Sequence, residues 1–230
     1  MDAFCSTLCG MDRSAALTMV GRIERRSGRR RFSLAVEATF HNPVSSVSGS
    51  SGSGKTALLR AIAGLEAFEG SLTWHEPTKE AYDPMRHAVY LPADGTAAFY
   101  PDMPLALQLA DFLDRAPQKE AAPLLAALDL PDDLRRPPRT LSGGEAQRMS
   151  YVFAVLRRPA ILLIDEPCSA VESSRRSSYL SALFAHLRGT RIVYASHDSQ
   201  VQNLAGQRFR VCEGGDGGFL VENRLEELAT

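Results

Sequence analysis

Apolar and polar positions alternate along residues 17–23 and again along 32–38, a period of two that predicts two strands. A short apolar run at 44–47 predicts a third. Over 56–63 the spacing changes: Leu58, Leu59 and Ile62 recur at helical intervals, and Gly64 suits the carboxyl end of such a helix. Residues 71–74 and 88–91 return to strand-like patterns. Between 101 and 139 the chain is rich in Ala, Leu and Pro, and 105–113 and 121–128 carry helical periodicity. A helix from Gly144 to about 156, a strand at 161–164, a helix at 173–187 and a strand at 191–195 follow. This alternation predicts an α/β fold with a mainly parallel sheet. The first two strands predict an antiparallel β edge near the amino end, with residues 24–31 as a basic turn between them. The middle predicts an inserted α-helical subdomain over about 95–150. Residues 1–14 read as a poorly ordered lead-in to a domain occupying 15–230. From 208 onward the chain predicts one or two short strands, a turn-prone loop at 214–218 and a terminal helix.

Composition narrows this only a little. At 230 residues, 44% hydrophobic and 23% charged, the chain has the make-up of an ordinary soluble globular protein. A net charge of −1 gives no general attraction to nucleic acid or to an anionic membrane, so no direct nucleic-acid partner is expected. No apolar stretch approaches the length that spans a bilayer, and the first ten residues do not read as a secretion signal. Cys5, Cys9, Cys168 and Cys212 make no C-x-x-C pair and read as free thiols in a reducing compartment. The expected location is cytoplasmic, with any membrane role supplied through a partner chain.

The candidate chemistry lies in three ordered motifs. Gly49-Ser50-Ser51-Gly52-Ser53-Gly54-Lys55-Thr56 is a complete G-x-x-x-x-G-K-[ST] loop, set between a strand and a helix. Its glycines allow backbone conformations closed to other residues, so that successive amides cradle phosphate oxygens. The helix that runs on through Ala57 adds its positive end. Lys55 should reach the β- and γ-phosphates and Thr56 should hold Mg²⁺. The second motif is Leu141-Ser142-Gly143-Gly144-Glu145, followed by Gln147 and Arg148. Ser142 and Glu145 have capping-box spacing, and the two glycines bring bare amides to a helix start. The third is the apolar run Ile161-Leu162-Leu163-Ile164 leading into Asp165-Glu166-Pro167. Four consecutive apolar residues mark a strand buried on both faces, in the centre of the sheet. Asp165 should hold Mg²⁺ through water, and Glu166 is the candidate to orient or deprotonate attacking water. His197 follows another apolar strand.

The ordered set resembles the nucleotide-binding subunit of ATP-binding-cassette (ABC) proteins, over roughly residues 16–213. The resemblance implies a P-loop NTPase core that binds and hydrolyses ATP with Mg²⁺. It implies that two chains, identical or related, pair head to tail, with Ser142, Gly143, Gly144 and Glu145 completing the ATP site of the opposite chain. His197 resembles the family's switch histidine, which contacts γ-phosphate and steadies Glu166. Residues 169–172 resemble the loop that joins the two sites, with Glu172 where the family usually has Asp. The function implied is an energy-coupling ATPase, peripheral on the cytoplasmic face of the inner membrane. Its partners would be separate transmembrane permease subunits and, for an importer, a solute-binding protein. The run Phe32-Ser33-Leu34-Ala35-Val36-Glu37 resembles the branch of importers for small ions and cofactors, including molybdate and thiamine types. Alternatives are a soluble ABC ATPase acting on nucleic acid or ribosomes, and a weakly hydrolysing regulatory subunit.

Two departures bear on mechanism. Where the family carries a glutamine after the strand at 88–91, this chain has Pro92, which has no side chain to direct at a metal. Asp94 is a candidate substitute, while Gln108 lies too far along the following helix. The family also stacks adenine on an aromatic residue at a position that falls here near Arg25 and Arg26. Arg26 is a candidate for that stacking. The basic segment as a whole also reads as a solvated hairpin, or as a surface for an acidic partner or lipid headgroups.

Overall fold

The computed structural model describes residues 16–27, 30–75, 81–113, 118–131, 133–214 and 218–224. The lead-in at 1–14 and the terminal helix expected beyond 224 lie outside the described residues. The strands are β1 (Ala16–Ser27), β2 (Arg30–Phe40), β3 (Val44–Gly49), β4 (Glu69–His75), β5 (Ala88–Leu91), β6 (Ile161–Asp165), β7 (Arg191–Ala195), β8 (Gln207–Glu213) and β9 (Phe219–Arg224). They form one sheet in the order β4-β1-β2-β9-β8-β3-β7-β6-β5. The helices are α1 (Lys55–Ile62), α2 (Pro84–His87), α3 (Leu105–Leu113), α4 (Gln118–Ala127), α5 (Gly143–Arg157), α6 (Ser173–His186) and α7 (Ser199–Gln202).

The sheet has the expected two parts. Strands β5, β6, β7, β3 and β8 run parallel. Strands β1, β2 and β4 form an antiparallel edge, and β9 joins the halves by pairing antiparallel with β8 and parallel with β2. The basic turn expected at 24–31 is mostly strand. The ladder continues to Arg25↔Phe32, Arg26↔Arg31 and Ser27↔Arg30. Two ion pairs hold this segment, one across the ladder and one to the loop after α1, and sequence spacing reveals neither. Arg31 donates to Glu24 at 2.8 Å, and Arg25 grips Glu66 through both Nε and a terminal nitrogen.

The central strands are buried on both faces, as a continuous apolar run requires. In β6, Ile161 and Leu163 face a core shared with Leu58, Leu59 and Ile62 of α1. Leu162 and Ile164 face the opposite core, shared with Tyr151 of α5 and Leu180 of α6. Strand β7 divides the same way, Val193 and Ala195 to the α1 side, Ile192 and Tyr194 to the other. Leu109 of α3, Leu124 of α4 and Met149 of α5 join the second core.

Helix α5 starts one residue earlier than its spacing predicts, at Gly143, because Ser142 caps it. Ser142 Oγ accepts from Glu145 N at 3.2 Å, and Glu145 Oε2 accepts from Ser142 N at 2.8 Å. These bonds hold the Glu145 carboxyl below its usual range, aided by Arg136. Ser142→Ala should cost about 1 kcal/mol of stability. Urea denaturation of the nucleotide-free protein reads this directly, and an unchanged midpoint would show that the box contributes nothing.

Candidate functional site

The site forms where three adjacent parallel strands end. Val47 of β3 pairs with Ala195 of β7, and Ala195 pairs with Asp165 of β6. The glycine loop, the Asp165-Glu166 pair and His197 therefore emerge side by side at the carboxyl edge. In open α/β sheets this is where ligands bind.

The loop leaving β3 is built on backbone that only glycine takes easily. Gly54 has φ +108°, and a Cβ there would lie 2.5 Å from Phe32 Cζ. Gly49 has φ +149°, with Ser53 Oγ and the Val211 carbonyl each 2.8 Å from where its Cβ would be. Ser53 is fully buried and its hydroxyl has no hydrogen-bond partner, an orphaned polar atom in the middle of the loop. Lys55 opens α1, and its ammonium donates to the Gly49 and Ser50 carbonyls, both at 3.0 Å. The positive charge is thus held across the loop on a residue only 9% exposed. Thr56, next on α1, donates its hydroxyl to Asp165 Oδ2 at 2.7 Å.

Asp165 ends β6 and is 6% exposed. Its Oδ2 accepts a second bond, from the Tyr90 hydroxyl of β5 at 3.3 Å. Burial and the neighbouring carboxylate push the Tyr90 phenol up to about 12, so it is a donor through the neutral range. Glu166 follows with φ +46°, a left-handed conformation rare for a residue with a side chain. That kink keeps Glu166 N on the β7 ladder, at 2.9 Å from Ala195 O. It also brings the carboxylate to 2.8 Å from His197 Nδ1. The His197 amide donates to the same oxygen at 3.4 Å.

The second motif sits differently. Gly143 and Gly144 pack on the segment after Glu166: a Cβ on Gly144 would lie 2.9 Å from Ala170 O. Among the described residues, no hydrogen bond joins Ser142, Gly143, Gly144 or Glu145 to the glycine loop. What links the motif to the rest of the site is Gln147, 1% exposed. Its Nε2 donates to Ala93 O at 3.2 Å, Glu166 O at 3.2 Å and Ser169 Oγ at 3.3 Å. Its Oε1 accepts from Ala170 N at 3.3 Å. One buried amide therefore ties α5 to the backbone of Glu166 and to the loop that follows β5. The sequence shows Gln147 but not its partners, which lie 19 or more positions away.

A cleft of about 660 Å³ lies against the glycine loop, lined by Gly52, Gly54, Lys55, Thr56, Ala57, Arg25, Arg31 and Phe32. Arg25, and not the stacking candidate Arg26, is among the residues lining this cleft. Ile23 lies in the α1-side core, and alternation along β1 puts Arg25 on that same face and Arg26 on the other. Neither candidate for the missing glutamine reaches the acidic pair. Asp94 Oδ1 accepts from Thr96 N at 2.9 Å and Thr96 Oγ1 at 2.6 Å, capping its own turn. Gln108 clasps the backbone of Tyr100 and Met103. Glu172 caps α6 by backbone alone, its side chain exposed. Cys168 is buried beside the Tyr151 hydroxyl, and burial pushes its thiol up to about 11.

Residues 38–169 match the family described as ABC transporter. The molybdenum import ATP-binding protein ModC of Rhodobacter capsulatus is 35% identical over 200 residues, 80% of this chain and 54% of that protein. The aliphatic sulfonates import ATP-binding protein SsuB of Cupriavidus necator is 32% identical over 180 residues, 77% of this chain and 58% of that protein. The chain thus spans little more than half the length of these curated relatives. Among solved structures, a dimeric ATP-binding cassette in a post-hydrolysis state with ADP and Pi is similar, with a TM-score of 0.73 and 19% identity. That match covers 92% of this chain and 99% of that one.

Proposed function

Since the chain belongs to the ABC transporter ATP-binding family, we propose that it is the ATP-binding and hydrolysing subunit of a small-solute importer, working as a head-to-tail dimer. The observation that carries this reading is the convergence of the glycine loop, Asp165 and the Glu166–His197 pair at three adjacent strand ends. The α- and β-phosphates would lie on the loop amides, with Ser53 Oγ gaining a partner. Lys55 would exchange its two carbonyl partners for phosphate oxygens. Thr56 Oγ1 and the Asp165 carboxylate are hard oxygen donors close together, the donor type that suits Mg²⁺. When bound, that ion supplies neutralisation of charge on the transferring phosphoryl group. Glu166 orients the attacking water and takes its proton, while His197 holds the carboxylate in place.

Glycines 143 and 144 have no bond to their own chain's loop, so a second chain is the proposed partner for their exposed amides. Gln147 would carry the state of that junction to Glu166. Among the described residues no helix is long and apolar enough to cross a membrane. The proposed partners are separate transmembrane permease subunits. Their proposed landing place is the segment where Tyr100, Met103 and Leu107 are 72%, 42% and 65% exposed. Affinity purification from detergent-solubilised native membranes should recover a multi-span protein in stoichiometric amount. Replacing the three residues together by serine should lower that recovery about tenfold, as loss of an apolar anchor does. A chain recovered only from the soluble fraction, or with nucleic acid or ribosomes, would replace this reading by a soluble ATPase.

A further inference from the structure

Tyr90 answers to no motif, yet its hydroxyl is one of two side-chain groups bonded to Asp165 among the described residues. The register explains how it gets there. Tyr90 pairs with Leu163 in the parallel ladder, so it points to the same face as Leu163 and Asp165, the α1 side. It lies two positions short of Asp165 along the strand direction, about 6.6 Å. A tyrosine bridges that offset and delivers a hydroxyl at its far end. Phenylalanine would fill the same space without the donor, and no aliphatic residue would reach. Thr56 of α1 donates to the same oxygen at 2.7 Å. Oδ2 is therefore held by two donors from two different elements, one from the helix and one from the sheet.

On the ATP-site reading above, we propose that Tyr90 is a positioning residue for the divalent cation: with Thr56 it locks the Asp165 carboxylate in one orientation, so that the ion meets a preset ligand. This support comes from within the sheet. The loop after β5 supplies none, because Pro92 has no polar side chain and Asp94 and Gln108 are engaged elsewhere.

The test is Tyr90→Phe, which keeps the ring and removes the hydroxyl. Mn²⁺ serves as a spectroscopic probe, titrated by electron paramagnetic resonance at saturating non-hydrolysable ATP analogue. Binding of the same analogue is measured separately in excess EDTA, and the melting temperature in the absence of ligand. Tyr90→Phe should weaken Mn²⁺ binding about three- to tenfold, the size of effect that the loss of one ordinary hydrogen bond produces. Metal-free nucleotide binding should stay within about twofold, and melting within a few degrees. Tyr90→Leu should match the Phe variant in Mn²⁺ affinity but melt lower, separating the hydroxyl's role from the ring's. Equal Mn²⁺ affinity in wild type and Tyr90→Phe, with nucleotide bound by both, would overturn the role of Tyr90 and leave the ATP site standing. Failure of the wild type to bind the nucleotide analogue would overturn both.

Discussion

Glu166→Gln should lower ATP turnover by about 10²- to 10⁴-fold, the range over which a positioned base acts, while ATP still binds. Glutamine has nearly the same shape as glutamate, and the left-handed backbone at φ +46° does not depend on charge. What disappears is the carboxylate that faces His197 Nδ1 at 2.8 Å and could take a proton from water. The Lys55, Thr56 and Asp165 contacts lie on other residues and should persist. Binding without turnover should then accumulate a closed dimer with ATP. Phosphate release in a single turnover, and size-exclusion chromatography with and without ATP, read the two effects separately. Unchanged turnover would remove Glu166 from its assigned place.

Lys55→Ala should weaken ATP binding about 10²- to 10⁴-fold. The ammonium makes two hydrogen bonds at 3.0 Å from a largely buried position. If both pass to phosphate oxygens, each is worth about 1.5–3 kcal/mol as a bond to a charged group. Two such bonds sum to about 3–6 kcal/mol, and each 1.4 kcal/mol is a factor of ten. Calorimetric titration with ATP measures the loss, and the melting temperature of the free variant checks that the loop still folds. An affinity equal to that of the wild type would mean that the glycine loop does not hold phosphate.

These two residues were visible because their signals are local. A glycine loop between a strand and a helix and a carboxylate pair after four apolar residues each occupy a few consecutive positions. Helix α5 and strands β5, β6 and β7 were also legible to within a residue or two, since periodicity and burial act over one element at a time. The hairpin β1–β2 was not. Its strands run through a segment that reads as turn because Arg–Glu pairs across the ladder, and to Glu66, hold it extended. Arg25 rather than Arg26 faces the cleft because the phase of alternation along β1 is set by which face packs on the α1-side core.

The sequence by itself determined the α/β alternation, the glycine loop between a strand and a helix, the acidic pair and the family. The loop and the pair each depend on neighbours within one turn or one strand, and the alternation and the family on the order in which such local patterns follow one another. Only the tertiary structure decided that Tyr90 supports Asp165 and that Gln147 binds the backbone of Glu166. It also showed Asp94 and Gln108 occupied with their own loops. Those outcomes depend on the register of β5 against β6 and on how α5 packs beside them. A shift of one residue would turn Tyr90 to the opposite face. Register is settled by the burial of whole faces of the sheet, a sum over many distant residues that no local pattern contains.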